Sequence, residues 1–182
     1  MSGRDRATVV PCRAEHLPAI RAIYNDAILT TTALWEYAPR SEETVRAWWE
    51  AKQAGGLPVL GVEEGGELVG FATWGPFRPF PAYKYSVEHS VYVAAGKRRR
   101  GVGRSLLEAI VAEGATRGIH LLVGGICSSN EPSIALHRDL GFGHSGTIHQ
   151  AGFKFGRWLD LEFWTLRLAG PAAPREIGRA HV

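Results

Sequence analysis

Cysteine is scarce in this chain: 182 residues hold two, Cys12 and Cys127, each in an apolar stretch. Two thiols are too few for a disulfide framework. No apolar run approaches the roughly 20 residues of a membrane span. The first residues, Met1 to Arg6, lack the apolar core of a signal peptide. The expectation is a cytoplasmic protein with reduced thiols. A surplus of one charge is also missing: the net charge is +3, too small to imply a nucleic-acid partner. His16, His120, His144 and His149 stand at no metal-ligand spacing, so no metal is expected. What is present is 45% hydrophobic and 21% charged residues, which excludes a disordered chain, and a length that suits one domain with a full core.

The basic residues are concentrated rather than numerous. Val87 to Val93 is rich in strand-forming residues. Leu106, Leu107, Ile110 and Val111 form the stripe of an amphipathic helix. Between them lie Lys97, Arg98, Arg99, Arg100, Gly101, Val102, Gly103 and Arg104. Glycines let the backbone turn tightly and approach a ligand without a Cβ in the way. Amides at a helix N-terminus, with the macrodipole behind them, favour an anion. A phosphate is the natural occupant.

The rest of the chain supplies the elements of one unit. Thr8 to Val10 reads as a strand, and Glu15 to Leu29 as a helix with Leu17, Ile20, Tyr24, Ala27 and Ile28 on one face. Ser41 is an N-cap candidate for a second helix ending by Gly55-Gly56. Val59 to Glu63 and Leu68 to Trp74 read as a hairpin around Gly65-Gly66. Gly75 to Tyr85 is an aromatic, proline-rich and basic loop. It is either a self-packed surface segment or a pocket wall. Leu121 to Cys127 is a strand, Asn130 to Leu140 a short helix, and Gly143 to Gln150 with Trp158 to Leu168 a closing antiparallel pair. Residues 169–182 read as a disordered tail. Mixed strands and helices in this order imply an α+β or α/β domain over residues 8–168.

Two familiar phosphate loops are excluded. Gly96 and Gly101 have Walker A spacing, but Val102-Gly103 follows where Lys-Ser/Thr is needed. The third glycine of a dinucleotide fingerprint is replaced by Leu106. What remains is Arg98-x-x-Gly101-x-Gly103, joined by Asn130, Ser133 and His137 on one face of the next helix. This combination, with Leu140-Gly141-Phe142, resembles the GNAT superfamily of acyl-CoA N-acyltransferases. Glu88 to Val93, Pro132-Ser133 with His137, Arg78-Pro79-Phe80, Ile23 to Ala27 and above all Ala151 to Asp160 are similar to the phosphinothricin and methionine sulfoximine N-acetyltransferases. The resemblance covers roughly residues 8 to 168.

The resemblance implies a GNAT-type fold, a splayed mixed β-sheet flanked by helices, with acetyl-CoA as co-substrate. It implies a pyrophosphate cradle from Arg98, Arg99, Arg100, Gly101, Val102, Gly103 and Arg104. The backbone of Val91, Tyr92 and Val93 would hold the oxyanion and pantetheine, with Asn130 and Ser133 beside it. Glu88 is carried over as the catalytic carboxylate and His137 as a second catalytic group, standing where the superfamily usually has tyrosine. By residue type alone, Glu88 could equally be a strand carboxylate paired with Lys84, and His137 a packed helix histidine. Which of the two would be acid and which base stays open. Arg78, Pro79, Phe80, Glu88, His89 and Ser90 are the implied substrate residues. Strict strand alternation puts His89 opposite Glu88 and Ser90, so a shared site needs a bulge. Trp35 and Tyr37 are candidates for an apolar wall, and Lys154 and Arg157 for the site or a subunit contact.

The expected activity is acetylation of the α-amine of a small amino acid analogue: methionine sulfone, methionine sulfoximine or phosphinothricin. Polyamines, aminoglycosides and protein N-termini are alternative amines, but a cationic substrate calls for an acidic pocket and the substrate loop offers Arg78 and Lys84. A nucleic-acid-binding module is a third possibility, disfavoured by the glycine pair and the lack of a second basic stripe. Trp158, Phe163 and Trp164 suggest a partner surface, and a homodimer is expected from the resemblance.

Overall fold

The computed structural model describes residues 8–176. Seven strands form one sheet in the order β1-β2-β3-β4-β5-β7-β6. They are β1 (Val9–Pro11), β2 (Val59–Glu64), β3 (Glu67–Pro76), β4 (Ser86–Val93), β5 (Leu121–Cys127), β6 (Gly143–Lys154) and β7 (Arg157–Arg167). Four helices accompany them: α1 (Leu17–Thr30), α2 (Glu42–Ala54), α3 (Val102–Thr116) and α4 (Glu131–Asp139). This is the mixed, helix-flanked sheet that the family resemblance implies. Ser41 caps α2 by accepting from Thr44 N, and Asn130 caps α4 by accepting from Ser133 N. Both caps satisfy an amide the helix cannot.

Each face of the sheet has its own core. Leu106, Leu107 and Ile110 of α3 pack with Val69, Ala72, Val87, Leu122 and Trp164 on one face, which also takes Leu136 and Leu140. Ile20, Ile23 and Tyr24 of α1 pack with Val45 and Phe71 on the other. Each fully buried aliphatic here contributes about 1.5–3 kcal/mol by leaving water. Strand alternation divides β4 between the faces. Val87, Val91 and Val93 belong to the α3 side, and Tyr92 to the α1 side.

One junction is parallel, and it positions the site. β4 and β5 pair only through Ser86↔Leu121, Val87↔Leu122 and Glu88↔Val123. Beyond Glu88 the two strands separate. β4 stays bonded to β3 along its other edge, from Pro76↔Val87 to Gly70↔Val93, without a break in register.

The closing pair is longer than the sequence suggests. β6 continues past Gln150 to Lys154 because a bulge between Ile148 and Gly152 is stitched by Asp160. The Asp160 carboxylate accepts from Gln150 N at 2.8 Å and lies 2.9 Å from His149 Nδ1. Those two bonds hold its pKa below the usual carboxylate range. Trp164 is buried in the α3-side core, and Phe163 is part-buried with its ring 6.2 Å from Phe77. Of the three aromatics expected on a partner surface, only Trp158 is exposed, at 60%. Residues 169–176 hold no helix or strand, and Arg175 N donates to the Tyr85 hydroxyl at 3.1 Å. The rest of the expected tail lies outside the described residues.

Candidate functional site

A cleft of about 900 Å³ opens where β4 and β5 part. Val91, Tyr92 and Val93 line one wall, Gly124 to Cys127 the other. The edge of β4 that faces the gap has no strand beside it, so its backbone groups are available to an extended ligand. One is already engaged: Val93 O accepts from Arg98 Nε at 3.2 Å.

The basic glycine loop closes one end of the cleft. Gly101 has φ +90° and is the N-cap of α3, and among the described residues no side-chain cap bond is made there. Only glycine adopts that φ cheaply, and the first N–H groups of a helix suit the end of α3 to an anion. Gly101, Gly103, Arg99 and Arg104 line the cleft. Arg98 also lines it, yet its guanidinium is tied to Asp26 at 3.0 Å. Arg104 reaches Glu108 at 3.5 Å and Asp139 at 3.8 Å. Val102 is a core residue at 1% exposure, so only its backbone can serve a ligand. Arg100 is exposed and does not line the cleft. Asn130 and Ser133 do line it, at the start of α4. Capping occupies the Asn130 carbonyl oxygen, at 3.3 Å from Ser133 N, and leaves its NH₂ for a ligand.

Glu88 stands at the last position of β4 that pairs with β5, where the fork begins. Its side chain lies over Gly125: a Cβ added there would sit 2.9 Å from Glu88 Oε1. Burial pushes the carboxyl up from its ordinary value, and the positive charge of Arg78 pulls it back. Glu88 does not itself line the cleft; it lies over Gly125, which does, and a half-buried carboxylate with a raised pKa in that position suits a proton acceptor.

His89 and His137 are on the other face. The bulge that would bring Glu88, His89 and Ser90 together is absent, because the β3–β4 register is continuous. His89 is 5% exposed and lies 2.9 Å, Nε2 to Nε2, from His137. Gly124 separates them from the Glu88 side: a Cβ on it would meet His137 Nε2 and His89 Cε1 at 3.1 Å each. His137 Nδ1 is 2.7 Å from Ser133 O. Burial holds both histidines below their ordinary pKa.

The substrate loop is placed differently from expectation. Arg78, Pro79 and Phe80 line a second cavity of about 490 Å³, with Trp74, Lys84 and Arg117, instead of the large cleft. Arg78 stacks on Phe77 at 4.2 Å and bonds Phe77 O, while its charge still reaches Glu88. The loop is both self-packed, through Phe77 and Tyr83, and a cavity wall. Ser90 lines the large cleft.

Sequence reasoning missed several features of the site. The β6–β7 turn puts Phe155, at φ +52°, on the cleft wall beside Arg157, which was a candidate for the site. Lys154 faces the opposite way. It is 3% exposed, and its Nζ donates to the carbonyls of Ile28 at 2.6 Å, Thr31 at 2.9 Å and Leu34. It thereby ties the hairpin to the end of α1 and the loop after it. Trp35 packs on Gly152, and Tyr37 donates to Phe153 O at 2.7 Å, so these aromatics hold the same hairpin. The Gly124-Gly125 pair inside β5 was the available signal for a crowded site beside that strand.

Known proteins share this geometry. A profile of the Acetyltransferase (GNAT) family matches residues 20–142. An L-methionine sulfoximine/L-methionine sulfone acetyltransferase of Pseudomonas paraeruginosa is 46% identical over 153 residues, 84% of this chain and 89% of its own. A phosphinothricin N-acetyltransferase of Alcaligenes faecalis is 39% identical over 160 residues, 86% of this chain and 80% of its own. A solved structure, described as an acetyltransferase of Salmonella typhimurium with its cofactor acetyl-CoA, has a TM-score of 0.90 at 42% identity. It covers 95% of this chain and 100% of the other.

Proposed function

The chain belongs to the GNAT family of acetyltransferases, and from that premise we propose that it acetylates the α-amine of a small amino acid analogue, using acetyl-CoA. Methionine sulfoximine, methionine sulfone and phosphinothricin are the proposed acceptors. They are the substrates in the names of relatives sharing 46% and 39% of the aligned residues. The observation that carries the reading is the fork at Glu88. The fork sets a carboxylate over Gly125 in the wall of a cleft whose far end is the N-terminus of α3, suited to an anion.

In this reading residues 8–168 form the catalytic domain. The free amides of α3 with Arg99 and Arg104 hold the pyrophosphate. The free edge of β4 from Ser90 to Val93 takes the pantetheine as a neighbouring strand would, and Asn130 donates to it. An amide of that edge faces the acetyl carbonyl oxygen as charge develops there. The amine must lose a proton before its lone pair can attack, and Glu88 accepts it directly or through one water. The C–N bond forms, the C–S bond breaks, and the thiolate departs and takes up a proton. One proton leaves with each turnover. Arg78 beside Glu88 favours an anionic or zwitterionic acceptor over a polyamine. The protein is proposed to work in the cytoplasm as a homodimer.

The test is release of free thiol from acetyl-CoA in the presence of methionine sulfone, methionine sulfoximine, phosphinothricin and simple amines. Rapid release with the first three supports the proposal. No release with any of them, from protein that still binds acetyl-CoA, would overturn it.

A further inference from the structure

The two cleft histidines can be assigned their hydrogens from geometry. His137 Nδ1 lies 2.7 Å from Ser133 O. A carbonyl oxygen only accepts, so Nδ1 carries the hydrogen. In the neutral ring, His137 Nε2 is then a lone pair. It sits 2.9 Å from His89 Nε2. Two lone pairs would repel at that distance, so His89 Nε2 carries a hydrogen and donates it. His89 Nδ1 is left bare, which agrees with its being buried without a hydrogen-bond partner. The Val123 backbone acts on the His89 ring and favours its protonated form, yet no partner lies in hydrogen-bonding geometry at Nδ1.

The surroundings keep this arrangement neutral. The ring centroids are 5.1 Å apart with 23° between their planes, so the two rings meet edge to edge, and Phe142 packs on both at 5.3 and 5.0 Å. Gly124 of β5 faces them with hydrogens alone. Among the described residues neither ring has an ion pair; Glu88, the neighbouring acid on β4, points to the opposite face of the sheet. A third proton on the pair would be a buried cation with no counter-charge.

We propose that His89 is a positioning residue, which through its Nε2–H fixes the tautomer and orientation of His137 and so withholds His137 from donating a proton to the departing thiolate. Proton acceptance then falls to Glu88 alone, and the thiolate leaves unaided. This rests on the acetyl-transfer reading of the cleft. It assigns His89 to His137 and not to the amino acid acceptor, and it divides two roles that residue types alone leave open.

The test is ¹⁵N–¹H correlation of the histidine side chains in the full-length protein, free and with CoA. The expected result is His89 as the Nε2–H tautomer and His137 as the Nδ1–H tautomer, neither titrating between about pH 6 and 8, around the ordinary histidine value. In His89→Leu, His137 loses the N–H that occupies its Nε2 lone pair, and its titration moves up toward the ordinary histidine value. His89→Gln keeps an N–H at similar reach and restores the original behaviour. In thiol-release assays kcat should fall about 10-fold in His89→Leu with little change in the KM for acetyl-CoA, and recover in His89→Gln. His137→Gln should slow the reaction while keeping the acidic limb of the pH–rate profile. An Nε2–H on His137, a histidine cation at neutral pH, or the acidic limb lost in His137→Gln would overturn the proposal. If His89→Leu does not fold, the wild-type spectrum still decides. Absence of thiol release would strike the acetyl-transfer reading and leave the spectral result standing.

Discussion

Glu88 shows how one residue's environment sets its chemistry. Its carboxyl must be ionised to accept a proton, and burial makes ionisation harder. The rate should therefore rise with pH along an acidic limb placed above the ordinary carboxylate value of about 4.3. Arg78 opposes burial by favouring the ionised form. Replacing it with methionine removes that pull, so the limb should move to higher pH. A pH–rate profile of Arg78→Met that keeps the wild-type limb would show that the limb belongs to another group. Glu88→Gln cannot accept a proton and should lower turnover about 10²-fold or more, with no acidic limb left.

The glycine under that carboxylate is equally specific. A Cβ on Gly125 would come 2.9 Å from Glu88 Oε1. The obstacle is the far end of a flexible side chain, so the fold can absorb it and the proposed base cannot keep its place. Gly125→Ala should melt within a few degrees of the parent while losing about 10-fold or more in kcat. Full activity would mean that Glu88 acts from another rotamer. Such contacts are hard to foresee: Glu88 and Gly125 meet across the fork, and His89 meets His137 from 48 positions away. The family resemblance made Glu88, His89 and His137 candidates, and Gly125 was not among them. Only the fold decides which of them share a face.

At the scale of elements, the parts built from local pattern were the legible ones. The strand, glycine loop and helix from β4 to α3 follow from residue periodicity and backbone freedom, and Ser41 and Asn130 cap the helices that follow them. The closing hairpin was harder, because its length depends on Asp160 bridging a bulge from the facing strand. Lys154 was harder still, since a lysine reads as surface. Its ammonium satisfies three carbonyls around the end of α1, where no helical partner exists. Lys154→Met keeps much of the volume and leaves those acceptors unpaired. It should cost about 2–3 kcal/mol, read as a lower urea midpoint at unchanged slope. A midpoint equal to the parent's would mean that water takes over these bonds.

The whole molecule leaves one apolar surface without a partner among the described residues. β6 is the outermost strand of the sheet. On the β6–β7 hairpin Phe153 and Trp158 are registered opposite each other with rings 5.2 Å apart, and they are 47% and 60% exposed. Ile148 and Phe155 are exposed on the same hairpin. A cluster of large apolar side chains beside a strand edge is a costly surface for a monomer to keep in water. The same hairpin carries Phe155 and Arg157 to the cleft wall, so a second copy docked here would press on the substrate side of the site. A homodimer through this hairpin is therefore the expected assembly. Sedimentation should give twice the 19.9 kDa chain mass, and Trp158→Glu, which buries a charge in such an interface, should shift the protein toward monomer. Because the hairpin is also pinned by Lys154 and Tyr37 from within, the variant should remain folded. Its KM for the amino acid should rise more than its KM for acetyl-CoA, whose proposed site lies along β4 and α3. A parent that sediments as a monomer would end the dimer proposal. A monomeric Trp158→Glu with unchanged KM values would show instead that the partner contributes nothing to the site.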